Sequence, residues 1–412
     1  MLAVALLAAA AVVAACGSSS GHTLAATQIR GKTLTIYASA PLRGRSSVTG
    51  QSVIDGARLA LEQVRDRIGE YRVALKVLDD ATVQRGGWDP GQTTINVRAA
   101  VVNPTTIGYV GEVNSGASAI SIPPLNRAGI PQVSPTSTAV GLTSSSDAAF
   151  PGEPQKYYPT GIRTFARVVP NDSVQATAQV RVQKGMGCNS TYVLNDGEVD
   201  GADAARSFEV AAMAAHLRLA GVTEFVRDAT SYKALATSIA HTGSDCVLIA
   251  ADTESGAVLL TTQLAAAMPH VKIFGTAGLA ETTFANPADG GIPLSIDRQV
   301  VVTAPTLAQS EYPRSARAFT AAYERRFGTP EPDAIFGYEA MSLMIDAIVR
   351  ATDDGTLPAE RSKVRDAIFD TRDRQSVLGT YSIDRDGDST LRRYGVYTII
   401  GGHLTFWESI DA

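Results

Sequence analysis

The sequence predicts an α/β fold made of two doubly wound, parallel-sheet lobes. Three observations carry this. From residue 33 onward, apolar strand-like runs alternate with amphipathic helical segments, the pattern of a parallel sheet covered by helices on both faces. The alternation breaks at a Ser-, Pro- and Gly-rich stretch, residues 144–161, and restarts after Pro170. Two long helical segments after Pro305 are out of sequence with the second lobe, as they would be if the chain returned there to the first.

The elements follow in order. Leu34-Thr35-Ile36-Tyr37-Ala38 reads as a buried strand. Ile54, Ala57, Leu61, Val64 and Ile68 recur at helical spacing, with Glu62, Arg65 and Asp66 on the outer face. Residues 73–78 alternate as a strand, 94–102 form a helix, 107–110 a strand, 116–128 a helix and 129–133 a short strand. Past Pro170 the expected strands are 191–194, 222–226, 246–250 and 272–275, separated by helices over 175–184, 202–220, 232–241 and 256–268. A strand over 299–303 precedes Pro305. Helices follow over 315–327, 334–351 and 362–369, and residues 380–407 read as turns and strands.

Composition bounds the function. The 412 residues fit two or three domains, and 45% apolar with 19% charged residues is ordinary for a chain with a large core. A net charge of -5 without a basic stripe argues against nucleic acid as a partner. The apolar run 2–15 ends in Cys16 and is followed by Gly17-Ser18-Ser19-Ser20-Gly21, an export signal followed by a flexible tether. Val13-Ala14-Ala15-Cys16 looks like a bacterial lipobox, in which the cysteine becomes the lipidated first residue. The chain is therefore expected outside the cytoplasm on a lipid anchor. The competing reading, a transmembrane anchor, needs ~20 apolar residues, more than this run supplies. Of the three cysteines, Cys188 and Cys246 remain as a pair in a compartment where disulfides persist. In a sheet of order 2-1-3-4-5, strands 1 and 3 are neighbours ~4.8 Å apart, and these cysteines stand at the starts of strands 1 and 3 of the second lobe. A Cys188–Cys246 bond is expected on the edge away from any ligand; the alternative is two buried thiols.

Patterns for several chemistries are missing. There is no P-loop, no GxGxxG after a strand and no GxSxG elbow. Ser115 stands between a strand and a helix, where a nucleophile would sit, but no histidine is placed as its partner. The five histidines are scattered, without metal-site spacing. Asp384-Arg385-Asp386-Gly387-Asp388 superficially resembles a calcium loop, but Ser389 and Gly395 occupy the positions that need Gly and Glu, so it reads as a turn. A binder is expected rather than an enzyme, with no metal and no cofactor.

Ala40-Pro41-Leu42-Arg43-Gly44, Gly50 and Asp55-Gly56-Ala57-Arg58-Leu59-Ala60 resemble the opening of the branched-chain amino-acid type of ABC-transporter substrate-binding proteins, the Leu/Ile/Val-binding-protein family. The likeness continues through Asp79-Asp80, Gly108-Tyr109-Val110-Gly111, Ser115-Gly116-Ala117-Ser118, Ala128-Gly129-Ile130-Pro131, Ser134-Pro135-Thr136-Ser137-Thr138, Tyr338-Glu339-Ala340 and the 379–387 turn, over about residues 33–407. The resemblance implies the type I periplasmic-binding-protein fold: two lobes joined by three crossovers, here near 168–171, 303–308 and 389–395, closing like a hinge. The implied division is a signal peptide over 1–15, lipidated Cys16 and tether over 16–32, a first lobe over 33–168 plus 306–390, and a second over 169–305 plus 391–412.

A small zwitterion needs donors for its carboxylate and acceptors for its ammonium. Ser115 and Gly116, at a helix N-terminus, suit the carboxylate, and Thr136 and Thr138 match positions that bind it in the family. Ser115 equally reads as a helix cap. Asp200-Gly201 replaces a frequent Tyr before Gly. Ala277 stands where relatives place the Glu that holds the ammonium, so the acceptor is expected from Asp252 or Asp200, at strand C-terminal ends; both aspartates also read as solvated loop charges. Thr49 replaces an aromatic wall, which implies a more polar, roomier pocket than one for leucine, isoleucine or valine. The 144–161 loop, with Tyr157 and Tyr158, reads as a cover for the cleft or as disorder. The leading expectation is a monomeric, lipid-anchored binder delivering a small polar ligand to an ABC permease. The others are a ligand sensor of the same fold signalling to a membrane receptor, and an exported hydrolase using Ser115.

Overall fold

The computed structural model describes residues 28–412; Cys16 and the expected signal and lipid anchor lie outside the described residues. The first sheet is built from β1 (Thr33–Ala40), β2 (Arg67–Ile68), β3 (Tyr71–Asp79), β4 (Thr106–Val110), β5 (Gln132–Ser134) and β6 (Phe165–Arg167), with α1 (Ser47–Gln63), α2 (Pro90–Val102) and α3 (Ser115–Arg127) between them. Its order is β2-β3-β1-β4-β5-β6, parallel except for the β2–β3 pair. α4 (Asp172–Gly185), β7 (Ser190–Asn195), α5 (Val199–Ala214), β8 (Arg218–Glu224), α6 (Lys233–Ala240), β9 (Cys246–Ala250), α7 (Ala257–Ala267), β10 (Lys272–Gly275), α8 (Thr282–Ala285) and β11 (Val300–Ala304) form the second lobe. The chain then runs through α9 (Arg314–Phe327), α10 (Ala334–Thr352) and α11 (Arg361–Phe369), the short pair β12 (Arg374–Gln375) and β13 (Thr380–Tyr381), and finally β14 (Arg393–Ile400) and β15 (His403–Asp411). The second sheet runs β15-β14-β11-β10-β9-β7-β8, with β14 and β15 added antiparallel at its edge.

Both parallel portions have the 2-1-3-4-5 order, β3-β1-β4-β5-β6 and β8-β7-β9-β10-β11. The late helices return to the first sheet, as the sequence predicts: Phe336, Met341, Leu343, Met344 and Ile348 of α10 share one core with Leu34 and Ile36 of β1 and Ile54 of α1. That contact is close because both helices carry glycine there. A Cβ on Gly56 would lie 2.2 Å from the Ala334 carbonyl oxygen, and one on Gly337 would lie 2.1 Å from that of Val53.

Several boundaries differ from the sequence expectation. Ile68 lies in β2, not in the first helix: α1 ends at Gln63, and Arg65 and Asp66 turn the chain at positive φ (56° and 54°). α2 starts four residues earlier than expected, because Asp89 caps it by accepting from the Gln92 N–H at 2.9 Å and Pro90 stands at its first position. α5 stops at Ala214, where His216 takes positive φ (55°), and residues 218–224 form a half-exposed edge strand instead of a helix tail. β6 has no counterpart in the sequence reading.

The Cys188–Cys246 disulfide is present, with Cα atoms 5.8 Å apart; it joins the residue two positions before β7 to the first residue of β9, at the end of the lobe remote from the cleft. The Asp384–Asp388 segment is a turn: the Asp384 carboxylate accepts from the N–H groups of Asp386, Gly387 and Asp388, each at 2.9 Å. Tyr157 and Tyr158 of the long loop are buried with Ile122, Leu142 and Phe165, and the Tyr158 hydroxyl donates to the Leu142 carbonyl at 2.7 Å. The loop packs against the first lobe and also touches α5 of the second, where Arg206 Nε donates to the Asp147 carbonyl at 3.2 Å, and none of its residues is in the cleft wall described below.

Candidate functional site

The strands of both sheets end toward one another, and the loops after them wall a cleft, the usual ligand position in parallel α/β sheets. From the first lobe come Pro41, Ser46 and Thr49 after β1, Val113 and Asn114 after β4, and Thr136 and Thr138 after β5. From the second come Asp200 at the start of α5, Asp252 and Glu254 after β9, and Ala277, Gly278 and Glu281 after β10. Ala304 and Pro305, in the second crossover, and Asp333, just before α10, complete the wall. The space between holds about 680 Å³, solvent at its mouth included.

The two lobes are hydrogen-bonded across this cleft, and α5 supplies the densest contacts. Asp200 and Asp203, three residues apart, share one helix face. Asp200 Oδ1 accepts from the Ser115 hydroxyl at 2.6 Å and from the Thr138 hydroxyl at 3.3 Å. Asp203 accepts from the N–H groups of Val140 (2.7 Å) and Gly141 (3.1 Å). Further bridges are Ser46 Oγ to Glu254 Oε2 (2.9 Å), Asn114 Nδ2 to Asp252 Oδ2 (3.1 Å) and Arg85 Nη2 to Glu198 Oε1 (2.7 Å), and Arg227 also pairs with Glu198.

The residues singled out from sequence are thus sorted. Thr49, Thr136, Thr138, Asp200, Asp252 and Ala277 line the cleft. The Thr136 hydroxyl is directed to the Val113 carbonyl at 2.8 Å, and the Ala277 N–H to Gln175 Oε1 at 2.9 Å. Ser115 is fully buried behind the wall. Its hydroxyl oxygen accepts from the Thr138 and Ala139 N–H groups at 3.1 and 3.2 Å while donating to Asp200. The N-cap position of α3 falls to Asn114, not to Ser115, and the Asn114 side chain makes no capping bond. Gly116 also stands behind the wall: a Cβ there would lie 2.4 Å from the Trp88 ring, so this glycine admits the indole. Sequence reasoning missed Ser46, Asn114, Glu254, Glu281 and Asp333. The rule of strand C-terminal ends reaches Glu254 and Glu281; nothing local marks Asp333, which the returning chain brings in from the far side of α9.

The wall carries five carboxyl groups and no Lys, Arg or His. Burial raises the proton affinity of each. Asp252 is pushed well above the usual range by burial, reinforced by the charges of Glu254, Asp200, Asp196 and Glu281. Burial likewise raises Asp200 and Glu254. Glu281 is raised to about 8 by burial and by Glu254, and Asp333 to about 7 by burial and by Glu331. A carboxyl raised in the folded state binds its proton more tightly there than in the unfolded chain. Its stabilising contribution is complete below the unfolded value near ~4 and is lost as pH rises through the folded value. The melting temperature of the ligand-free protein is therefore expected to fall between pH 5.5 and 8.5, and Glu281→Gln is expected to flatten the slope; thermal scans across that range check it. Among the described residues, no group of three or more His, Cys, Asp or Glu is arranged to hold a metal ion.

Two α/β lobes joined by three strands of chain, with a polar cleft between their strand ends, define a solute-binding architecture. The chain belongs to the periplasmic binding protein family, whose profile matches residues 33–403; this is a family of ligand binders, not enzymes. It is 25% identical over 393 residues to the Leu/Ile/Val-binding protein BraC3 of Rhizobium johnstonii, covering 91% of this chain and 94% of that one. Its fold is similar to that of the leucine-binding protein LivK of Thermotoga maritima, with TM-score 0.77 and 19% identity, covering 92% of this chain and 99% of that one. It is also similar to an ABC-transporter solute-binding protein of Rhodopseudomonas palustris in complex with p-hydroxybenzoic acid, with TM-score 0.75 and 14% identity, covering 92% and 97%.

Proposed function

We propose that this protein is an extracytoplasmic solute-binding protein, anchored through Cys16, that delivers a small polar ligand to an ABC permease by hinge closure of its two lobes. The observation that carries the reading is the cleft itself: residues at the strand ends of both sheets wall one space and bond to each other across it. The lobes are 33–168 plus 306–390 and 169–305 plus 391–412. The ligand is held from the first lobe by Thr49, Thr136 and Thr138, with Ser115 and Gly116 behind them, and from the second by Asp200, Asp252 and Ala277. Bridges such as Ser46–Glu254 form only when the lobes come together, so they add to the affinity of a ligand that brings the lobes together. The named ligands of similar proteins, from branched-chain amino acids to a hydroxybenzoate, show how wide a range of small solutes proteins of similar fold take.

The test is a thermal-shift screen of the full chain against neutral amino acids, amines, amides and aromatic acids. A ligand at ~100 times its dissociation constant adds about 2.7 kcal/mol to the stability, a shift of several degrees. A shift confined to one chemical class is the expected result; no shift with any class contradicts the reading.

A further inference from the structure

We propose that the cleft takes an organic cation with two or more ammonium groups and no carboxylate, of the alkyl diamine and polyamine class. This rests on the reading of the cleft as a solute site and names the substrate that site is built for.

The first observation is charge. The lining includes Asp200, Asp252, Glu254, Glu281 and Asp333 and no basic side chain, so carboxyl groups are the only ionisable side chains that the ligand meets there. The second concerns where a ligand carboxylate would go. By resemblance, the hydroxyls of Ser115 and Thr138 and the backbone beside them receive it. Here both hydroxyls donate to Asp200 Oδ1, and the Thr138 N–H is taken by Ser115 Oγ. The protein's own carboxylate fills that subsite, so an amino acid would bring a second anion against a fixed one, with no cation in the wall to separate them. The third is an unmatched acceptor. Asp252 is 8% exposed; its Oδ2 accepts from Asn114, while Oδ1 has no donor among the described residues and lies beside Gly278 on the wall. Glu254, also 8% exposed, is alike: Oε2 accepts from Ser46 and Oε1 has no donor among the described residues. Each of these mostly buried carboxyls keeps one oxygen without a donor among the described residues, and a ligand ammonium is a donor that such an oxygen can accept from.

A metal ion answers the charge but not the arrangement. The carboxyl groups come from the start of α5, the ends of β9 and β10 and the start of α10, and they do not converge on one point. Separated carboxylates match a cation whose charges are themselves separated along a chain. The raised proton affinities of Glu281 and Asp333 add a second signature: a bound cation displaces the protons that these groups hold near pH 7, so binding releases protons.

The experiment is calorimetric titration of the full chain with 1,4-diaminobutane and spermidine, and separately with leucine, benzoate and calcium chloride, at pH 7.5 in two buffers of different ionisation enthalpy. The expected result is binding of an amine at least 100-fold tighter than of leucine or benzoate, with proton release. Asp252→Asn and Glu281→Gln are each expected to weaken the amine ten-fold or more. Both remove a raised acid and are expected to fold, which melting curves verify. Tighter binding of leucine or benzoate overturns this inference and leaves the solute-binding function standing. Binding of calcium alone, or an amine affinity unmoved by both substitutions, also overturns it. Binding of none of the probes overturns the inference, and only an empty result across the wider thermal-shift screen removes the solute-binding function with it.

Discussion

Arg167→Met is expected to destabilise the protein by about 3–5 kcal/mol, the cost of breaking a buried ion pair from one side. Arg167 is fully buried at the end of β6, immediately before the first crossover. Its Nε donates to Asp388 Oδ1 at 2.7 Å, and Nη1 donates to the carbonyls of Ser137 and Ala139, each at 2.9 Å. Nη2 donates to the Thr143 hydroxyl. Asp388 in turn accepts from Asn171 Nδ2 at 2.8 Å, so the pair ties the first crossover to the segment leading into the third. Removing the guanidinium leaves a mostly buried carboxylate and two buried carbonyls short of donors. It also frees the 136–139 segment, which carries Thr136 and Thr138 to the cleft. Arg167→Lys is expected to recover only part of the loss, because an ammonium cannot serve acceptors arranged for a planar fork. Urea denaturation measures both variants; a change for Arg167→Met within ~0.5 kcal/mol would mean that the pair adds nothing beyond what a surface contact does.

The Cys188→Ala/Cys246→Ala double variant is expected to lose about 4 kcal/mol, the loop-closure estimate for a bond across 58 residues. Both positions are buried at the end of the second sheet opposite the cleft. Stability and binding should therefore separate: the denaturation midpoint drops while the affinity for the ligand stays within about two-fold. An affinity that fell together with the midpoint would place the disulfide in the closing motion.

The disulfide shows what kind of information the sequence carries well. Two cysteines and a known strand order are enough, because strand order and spacing are properties of the backbone. β9 and β10 were legible to the residue for a related reason: Cys246–Ala250 and Lys272–Gly275 are buried apolar runs with turns on both sides. Ile68 was misleading because helical spacing continues across a turn that only the positive φ of Arg65 and Asp66 reveals. Residues 215–220 have helix-forming composition, and pairing with β7 overrides it in β8. β6 was hidden because its central feature, a buried arginine, breaks the apolar signature of a strand; its partners stand far away in sequence at Ser137, Ala139 and Asp388.

The candidate site divides in the same way. Asp200 and Asp252 were legible as carboxylates after strands. That Asp200 is spent on Ser115 and Thr138 was not legible, since it depends on the approach of two lobes. Asp333 was invisible because its place in the wall follows from the return of the chain to the first lobe.

The claim at the centre of this account is that a solute draws the two lobes together, and small-angle X-ray scattering of the full chain tests it most directly. At saturating concentration of the ligand found by titration, the radius of gyration is expected to fall and the scattering curve to converge on that calculated for the lobe arrangement described here. A bound ligand that leaves the curve unchanged from an open form would contradict the account.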